Sequence, residues 1–141
     1  MNTPNRIELP PKTDYVEILY NKCFGGFGFS QEAVSEYHKR KSVDPSFDAH
    51  EIERHDAVMI EIVKELGPKA NGYCAKLAIE RIPAHFIKYY EIVEYDGSES
   101  VQIKYDAYKI ETAKLLLQDA NLTKSEKISR AFAILSARLD S

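Results

Sequence analysis

Ile87-Lys88-Tyr89-Tyr90-Glu91-Ile92-Val93-Glu94-Tyr95-Asp96-Gly97-Ser98-Glu99-Ser100-Val101-Gln102-Ile103-Lys104-Tyr105 is the stretch whose reading decides the fold. Two β-rich runs, 87–95 and 98–105, flank Asp96-Gly97, the favoured centre of a two-residue type I′ hairpin turn. With that loop Tyr95 faces Ser98, Ile92 opposes Val101 and Tyr90 opposes Ile103, which gives one consistent apolar face. The same register sets Glu94 directly opposite Glu99. Like charges so placed repel unless a cation or a basic side chain lies between them.

Working outward, Tyr15 to Tyr20 is a short β-rich run that feeds Cys23-Phe24-Gly25-Gly26-Phe27-Gly28-Phe29-Ser30, which holds three of the six glycines and three of the six phenylalanines. Glycine permits close backbone approach. The segment is therefore either a tightly packed bend or part of a binding wall. Ser30 is a good N-cap for a helix over 31–41, and 42–52, with Asp44-Pro45, reads as a connecting loop. Val58, Ile62 and Leu66, widened by Met59 and Val63, mark a second helix over 57–66. Asp56 caps it and Gly67-Pro68 stops it. After a turn at Asn71-Gly72, Leu77 and Ile79 alternate with Lys76 and Glu80 in a strand that ends at Pro83.

Beyond Tyr105 the pattern becomes helical, over 108–118 and 124–139. Thr123-Lys124-Ser125-Glu126 is a capping box. Ile128, Phe132, Leu135 and Leu139 form a narrow seam of the kind that packs on another helix. The expected fold is α+β: an antiparallel sheet of about four strands (15–20, 75–82, 87–95, 98–105), with helices 31–41 and 57–66 packed on one face and a C-terminal helical pair. Residues 1–13 read as a flexible N-terminal arm, 14–105 as the core domain and 106–141 as a helical extension.

The chain has 141 residues and a formal net charge of −3. That size suits one domain with a real core, and the charge argues against general affinity for nucleic acid or an anionic membrane. Lys39-Arg40-Lys41, the one basic run, suits a helix C-terminus. Two cysteines without metal-ligand spacing, no apolar leader and no membrane-length apolar run point to a cytoplasmic protein with reduced thiols. Nine tyrosines without a tryptophan lean towards a recognising surface.

Several constellations have both a structural and a functional reading. The glycine-aromatic bend (Gly25, Gly26, Phe27, Gly28) precedes a helix N-terminus, where backbone N–H groups can hold an anion. It matches neither a dinucleotide fingerprint nor a P-loop. Arg54-His55-Asp56 either caps the helix and pairs Arg54 with Glu94 or Glu99, or offers Arg54 and His55 to a phosphate or carboxylate. His55 has the chemistry of a general base but no nucleophile beside it. Glu94, Asp96 and Glu99 form an acidic group on one hairpin, and Asp96 more simply belongs to the turn. His38, His50, His55 and His85 lack paired ligand spacing. Cys23 has no CxxC partner and reads as a buried thiol. No metal or cofactor is expected.

The blocks Phe24-Gly25-Gly26-Phe27-Gly28-Phe29-Ser30, Glu32-Ala33-Val34, Tyr37, Arg54-His55-Asp56, Ile60 to Gly67, Ala70-Asn71-Gly72, Leu77, Ile82-Pro83 and Glu94-Tyr95-Asp96-Gly97 with Glu99 and Val101 occur in this order. Together they resemble a family of small, mostly uncharacterised proteins of bacteriophages and large DNA viruses. The resemblance covers roughly residues 15–103. Those relatives end soon after the hairpin in a short polar tail with a tryptophan, where this chain continues as helix.

The resemblance, Arg54, the tyrosines and the absence of a catalytic set lead to the expectation of a non-catalytic viral accessory protein of the host cytoplasm. It would bind a small anionic, nucleotide-like ligand through Gly25, Gly26, Phe27, Gly28, Arg54, His55 and Tyr95, sequestering a host immune signal. The alternative is a protein-interaction module that inhibits a host protein or is a minor structural component. In either case the C-terminal helices would mediate self-association.

Overall fold

In the computed structural model, which describes residues 14–44 and 46–138, the hairpin closes in the expected register. β3 (Tyr90–Tyr95) and β4 (Ser98–Ile103) pair antiparallel, with Ile92 opposite Val101, Tyr90 opposite Ile103 and Glu94 opposite Glu99. Asp96 and Gly97 carry φ of 49° and 87°, the two positive values a type I′ turn requires. β3 begins three residues later than the apolar run suggested, because Ala84–Phe86 form a single 3₁₀ turn that buries Phe86. The reading of residues 1–13 as an arm lies outside the described residues.

β1 (Tyr15–Asn21) pairs antiparallel with β2 (Leu77–Pro83), Leu19 opposite Ile79 and Asn21 opposite Leu77. The class is α+β, and the four strands among the described residues form two separate two-stranded ribbons and not one sheet. The outer edge of β1 explains the division. Leu19 N–H donates to Arg54 O at 2.7 Å, Leu19 O accepts from Arg54 Nη1 at 3.2 Å, and Asn21 N–H donates to Glu99 Oε1 at 2.8 Å. A turn and a side chain occupy the positions that a third strand would need.

One face of the β1–β2 ribbon, through Leu19, Leu77 and Ile79, packs against α1 (Gln31–Lys41) and α2 (Ala57–Leu66), which contribute Ala33, Tyr37, Met59, Ile60, Ile62 and Val63. Ser30 and Asp56 cap these helices by accepting from Ala33 N and Met59 N. Asp56 also accepts from the Tyr37 hydroxyl at 3.0 Å, so one carboxylate ties the two helices together. Ile18, Ile82 and Phe86 form a second core with Ile92, Val101 and Ile103 of the hairpin.

α3 (Tyr105–Leu117) starts earlier than 108, because Tyr105 and Tyr108 dock on that second core. α4 (Lys124–Ser136) begins with the expected capping box. Its apolar seam faces away from α3: Ile128, Phe132 and Leu135 are 57%, 74% and 51% exposed. Ala113, Ala131 and Ile134 are buried instead. Small side chains allow the closer helix approach, which selects the alanine face over the bulkier one.

Candidate functional site

The glycine-aromatic bend is fastened to the turn before β2. Gly26 N–H donates to Cys74 O at 3.2 Å, Ser30 N–H to Ala70 O at 2.8 Å, and Gly72 N–H to Gly28 O at 2.9 Å. Gly25 is required by contact: a Cβ there would collide with the Cys74 carbonyl oxygen. Gly97 presses on the same point, since a Cβ on it would stand 2.5 Å from Gly25 O. Three loops, the bend, the 72–75 turn and the hairpin tip, thus meet backbone to backbone.

Asn21, the one buried polar residue of the described core, is fully excluded from solvent beneath this junction. Its amide donates to Cys23 O at 2.9 Å and Gly97 O at 2.7 Å, and its Oδ1 accepts from Lys76 N at 2.8 Å. A single side chain therefore holds all three loops, and its polar atoms are satisfied as burial demands.

The expected ligand residues separate into two groups. Arg54 is taken by structure: Nη1 and Nη2 meet Glu99 Oε1 and Oε2 at 2.8 and 3.0 Å, and its guanidinium carbon lies 3.4 Å from the centroid of the Phe27 ring. This pairing also relieves the Glu94–Glu99 opposition, because Glu94 turns aside to accept from Gly97 N–H. The three hairpin carboxylates are accordingly divided, and no group of three metal-ligating side chains occurs among the described residues. Phe27 packs edge-on to Phe29, and both lie on the helical core. The bend takes the packed reading at those two rings, and two of its N–H groups are spent on the neighbouring turn. Gly26 and Gly28 face open space.

His55 bridges Glu53, at 2.9 Å from Nε2, and the Tyr90 hydroxyl, at 2.8 Å from Nδ1. Burial, with Glu53 adding to it, pushes the Tyr90 hydroxyl above its ordinary range. Tyr95 sits at the hairpin tip and is 79% exposed, but strand alternation puts it with Val93, on the opposite face from Tyr90 and Ile92. The structure brings the tip to the bend without turning Tyr95 towards Arg54.

The exposed side chains on the segments that meet at the junction include Lys22, Phe24, Tyr73 and Lys76. Phe24 is 72% exposed and Tyr73 fully exposed, on the two loops joined through Cys74. No ring contact joins either to another aromatic among the described residues. Lys22 N–H donates to Lys76 O at 2.8 Å, one step beyond the Asn21–Leu77 pair, so two exposed lysines stand directly opposite. Neither ammonium has an ion-pair partner among the described residues. Opposed like charges cost stability and favour an anion between them. Each lysine lies one position outside the observed strands, so only the antiparallel pairing of those strands makes them neighbours.

Compared with known proteins, the chain matches no family model, no curated protein and no solved structure. Among the described residues, no helix is long and apolar enough to cross a membrane.

Proposed function

We propose that this chain is a non-catalytic accessory protein of bacteriophage type that binds a small anionic, nucleotide-like ligand and withholds it from a host immune pathway in the host cytoplasm. The observation that carries this reading is the Lys22–Lys76 opposition, at the strand ends that lead into the two loops exposing Phe24 and Tyr73. Two ammonium groups meet phosphate, and aromatic faces stack on a base. The glycines of the bend serve as the close-packed support of that surface and Arg54 as its brace. The resemblance of the ordered sequence blocks to those of phage and large-virus proteins supports the viral origin.

The test is native mass spectrometry of the chain purified from bacteria with an active nucleotide-signalled defence, followed by identification of what heat releases. A stoichiometric nucleotide-like mass is expected, lost in the Lys22→Glu/Lys76→Glu double variant. A ligand-free mass, or a ligand retained by that variant, overturns the reading.

One feature favours a second reading, that of an interaction module. Ile128, Phe132 and Leu135 expose an apolar row on the outer side of α4, suited to self-association or to a host protein. The same spectra report it. A ligand-free dimer that becomes monomeric with Phe132→Ser would select this reading over the first.

A further inference from the structure

The chain has two cysteines, 51 residues apart in sequence, and the fold sets them against each other. Cys23 Sγ lies 3.1 Å from the Cys74 carbonyl oxygen and 3.4 Å from Asn21 Oδ1. The Gly25 backbone is so close that a Cβ there would stand 2.8 Å from Cys74 Cβ. Cys74 holds φ at 67°, a left-handed conformation uncommon for a residue with a side chain. Both thiols are free, with Cys74 exposed and Cys23 half-buried. An accessible cysteine whose backbone touches a more sheltered thiol is an arrangement in which the first can meet a reagent and the second resolve the product. Lys22 and Lys76 adjoin the pair and favour the approach of an anionic small disulfide.

We propose that Cys23 and Cys74 are a reversible disulfide-forming site that exchanges with low-molecular-weight disulfides such as oxidised glutathione. The Cys74 thiolate attacks one sulfur of the small disulfide, forming a mixed disulfide and expelling one small thiolate. The Cys23 thiolate then attacks the Cys74 sulfur, closing the internal bond and expelling the second. Two electrons pass from the protein dithiol to the small disulfide, and the two protons given up by the cysteines end on the two released thiols. The bond would rivet the bend to the 72–75 turn and fix Phe24 relative to Tyr73. The inference rests on the contact between Cys23 Sγ and the Cys74 backbone and on the exposure of the two cysteines, not on the ligand reading.

The experiment is incubation of the native full chain with oxidised glutathione, then alkylation of remaining thiols and intact-mass and peptide analysis. The expected result is loss of both alkylatable thiols, a mass lower by two hydrogens with no glutathione attached, and a linked Cys23–Cys74 peptide, all reversed by dithiothreitol. Cys23→Ser is expected to stop at a stable mixed disulfide on Cys74. Persistent glutathione on both cysteines of the unaltered chain, two thiols that remain alkylatable, or a disulfide between chains would overturn the proposal. These readouts hold whether or not a nucleotide binds.

Discussion

Replacing Glu99 by alanine removes a carboxylate whose side chain is 7% exposed and which accepts three hydrogen bonds, two from Arg54 and one from Asn21 N–H. Breaking one side of a buried ion pair costs about 3–5 kcal/mol, because the partner's charge is left uncompensated. The Asn21 amide also loses its acceptor, which costs about 1–3 kcal/mol for a buried group. Arg54 is 23% exposed and keeps the Leu19 carbonyl and the Phe27 ring. Part of its charge is therefore rehydrated, and a total near the lower sum, about 4 kcal/mol, is expected.

With a urea m-value of about 2 kcal/mol/M for a chain of this size, the unfolding midpoint should fall by about 2 M. Glu99→Gln retains the acceptor for Asn21 and one bond to Arg54, so it should cost less than half as much. Arg54→Ala together with Glu99→Ala should cost well below the sum of the two single changes, since the double variant buries no unpaired charge. Urea unfolding followed by circular dichroism measures all four. A loss below about 1 kcal/mol for Glu99→Ala, the range of an exposed pair, or additive single changes, would refute the reasoning.

Two further predictions follow from contacts at the junction and between the helices. Gly25→Ala drives a methyl into the Cys74 carbonyl and should destabilise the chain by about 1–3 kcal/mol, as overpacking does, with faster amide exchange in the 72–75 turn; wild-type exchange there would contradict the close approach. Burial, with the hydrogen bond to Asp56 behind it, pushes the Tyr37 hydroxyl up to about 12. Because that value lies above the ordinary phenol pKa of about 10, the contribution of the neutral group is complete below pH about 10 and is lost as pH rises through about 12. Ultraviolet titration should show a late-ionising tyrosine that Tyr37→Phe abolishes.

The elements were legible where local chemistry dictates them. Asp96-Gly97 sets the hairpin register unaided, and Ser30, Asp56 and Thr123 mark three helix starts because each side chain answers an orphan backbone N–H within three residues. The division into two ribbons was not legible. It depends on Glu99 reaching across to β1 and on Arg54 arriving from a turn far along the chain, and strand propensity carries no record of an edge already occupied. On α4 the large apolar residues carry the sequence signal, whereas close packing of α3 on α4 favours Ala113 and Ala131. At the candidate site, the Arg54 pairing with Glu94 or Glu99 was legible from the opposed glutamates of the hairpin, and the structure makes it at Glu99. Lys22 and Lys76 gain meaning only once their strands are paired.

The manner in which β1 is bounded has a consequence for the fate of the chain under stress. A strand flanked by another strand is shut off by a whole ladder, but here one carboxylate and one turn stand guard over Leu19 and Asn21. If Arg54 and Glu99 let go, the backbone of β1 becomes an open template on which a foreign strand can add, and each added strand presents a fresh edge of its own. The ion pair then acts as a gatekeeper against polymerisation, protecting the population of molecules as well as the single fold.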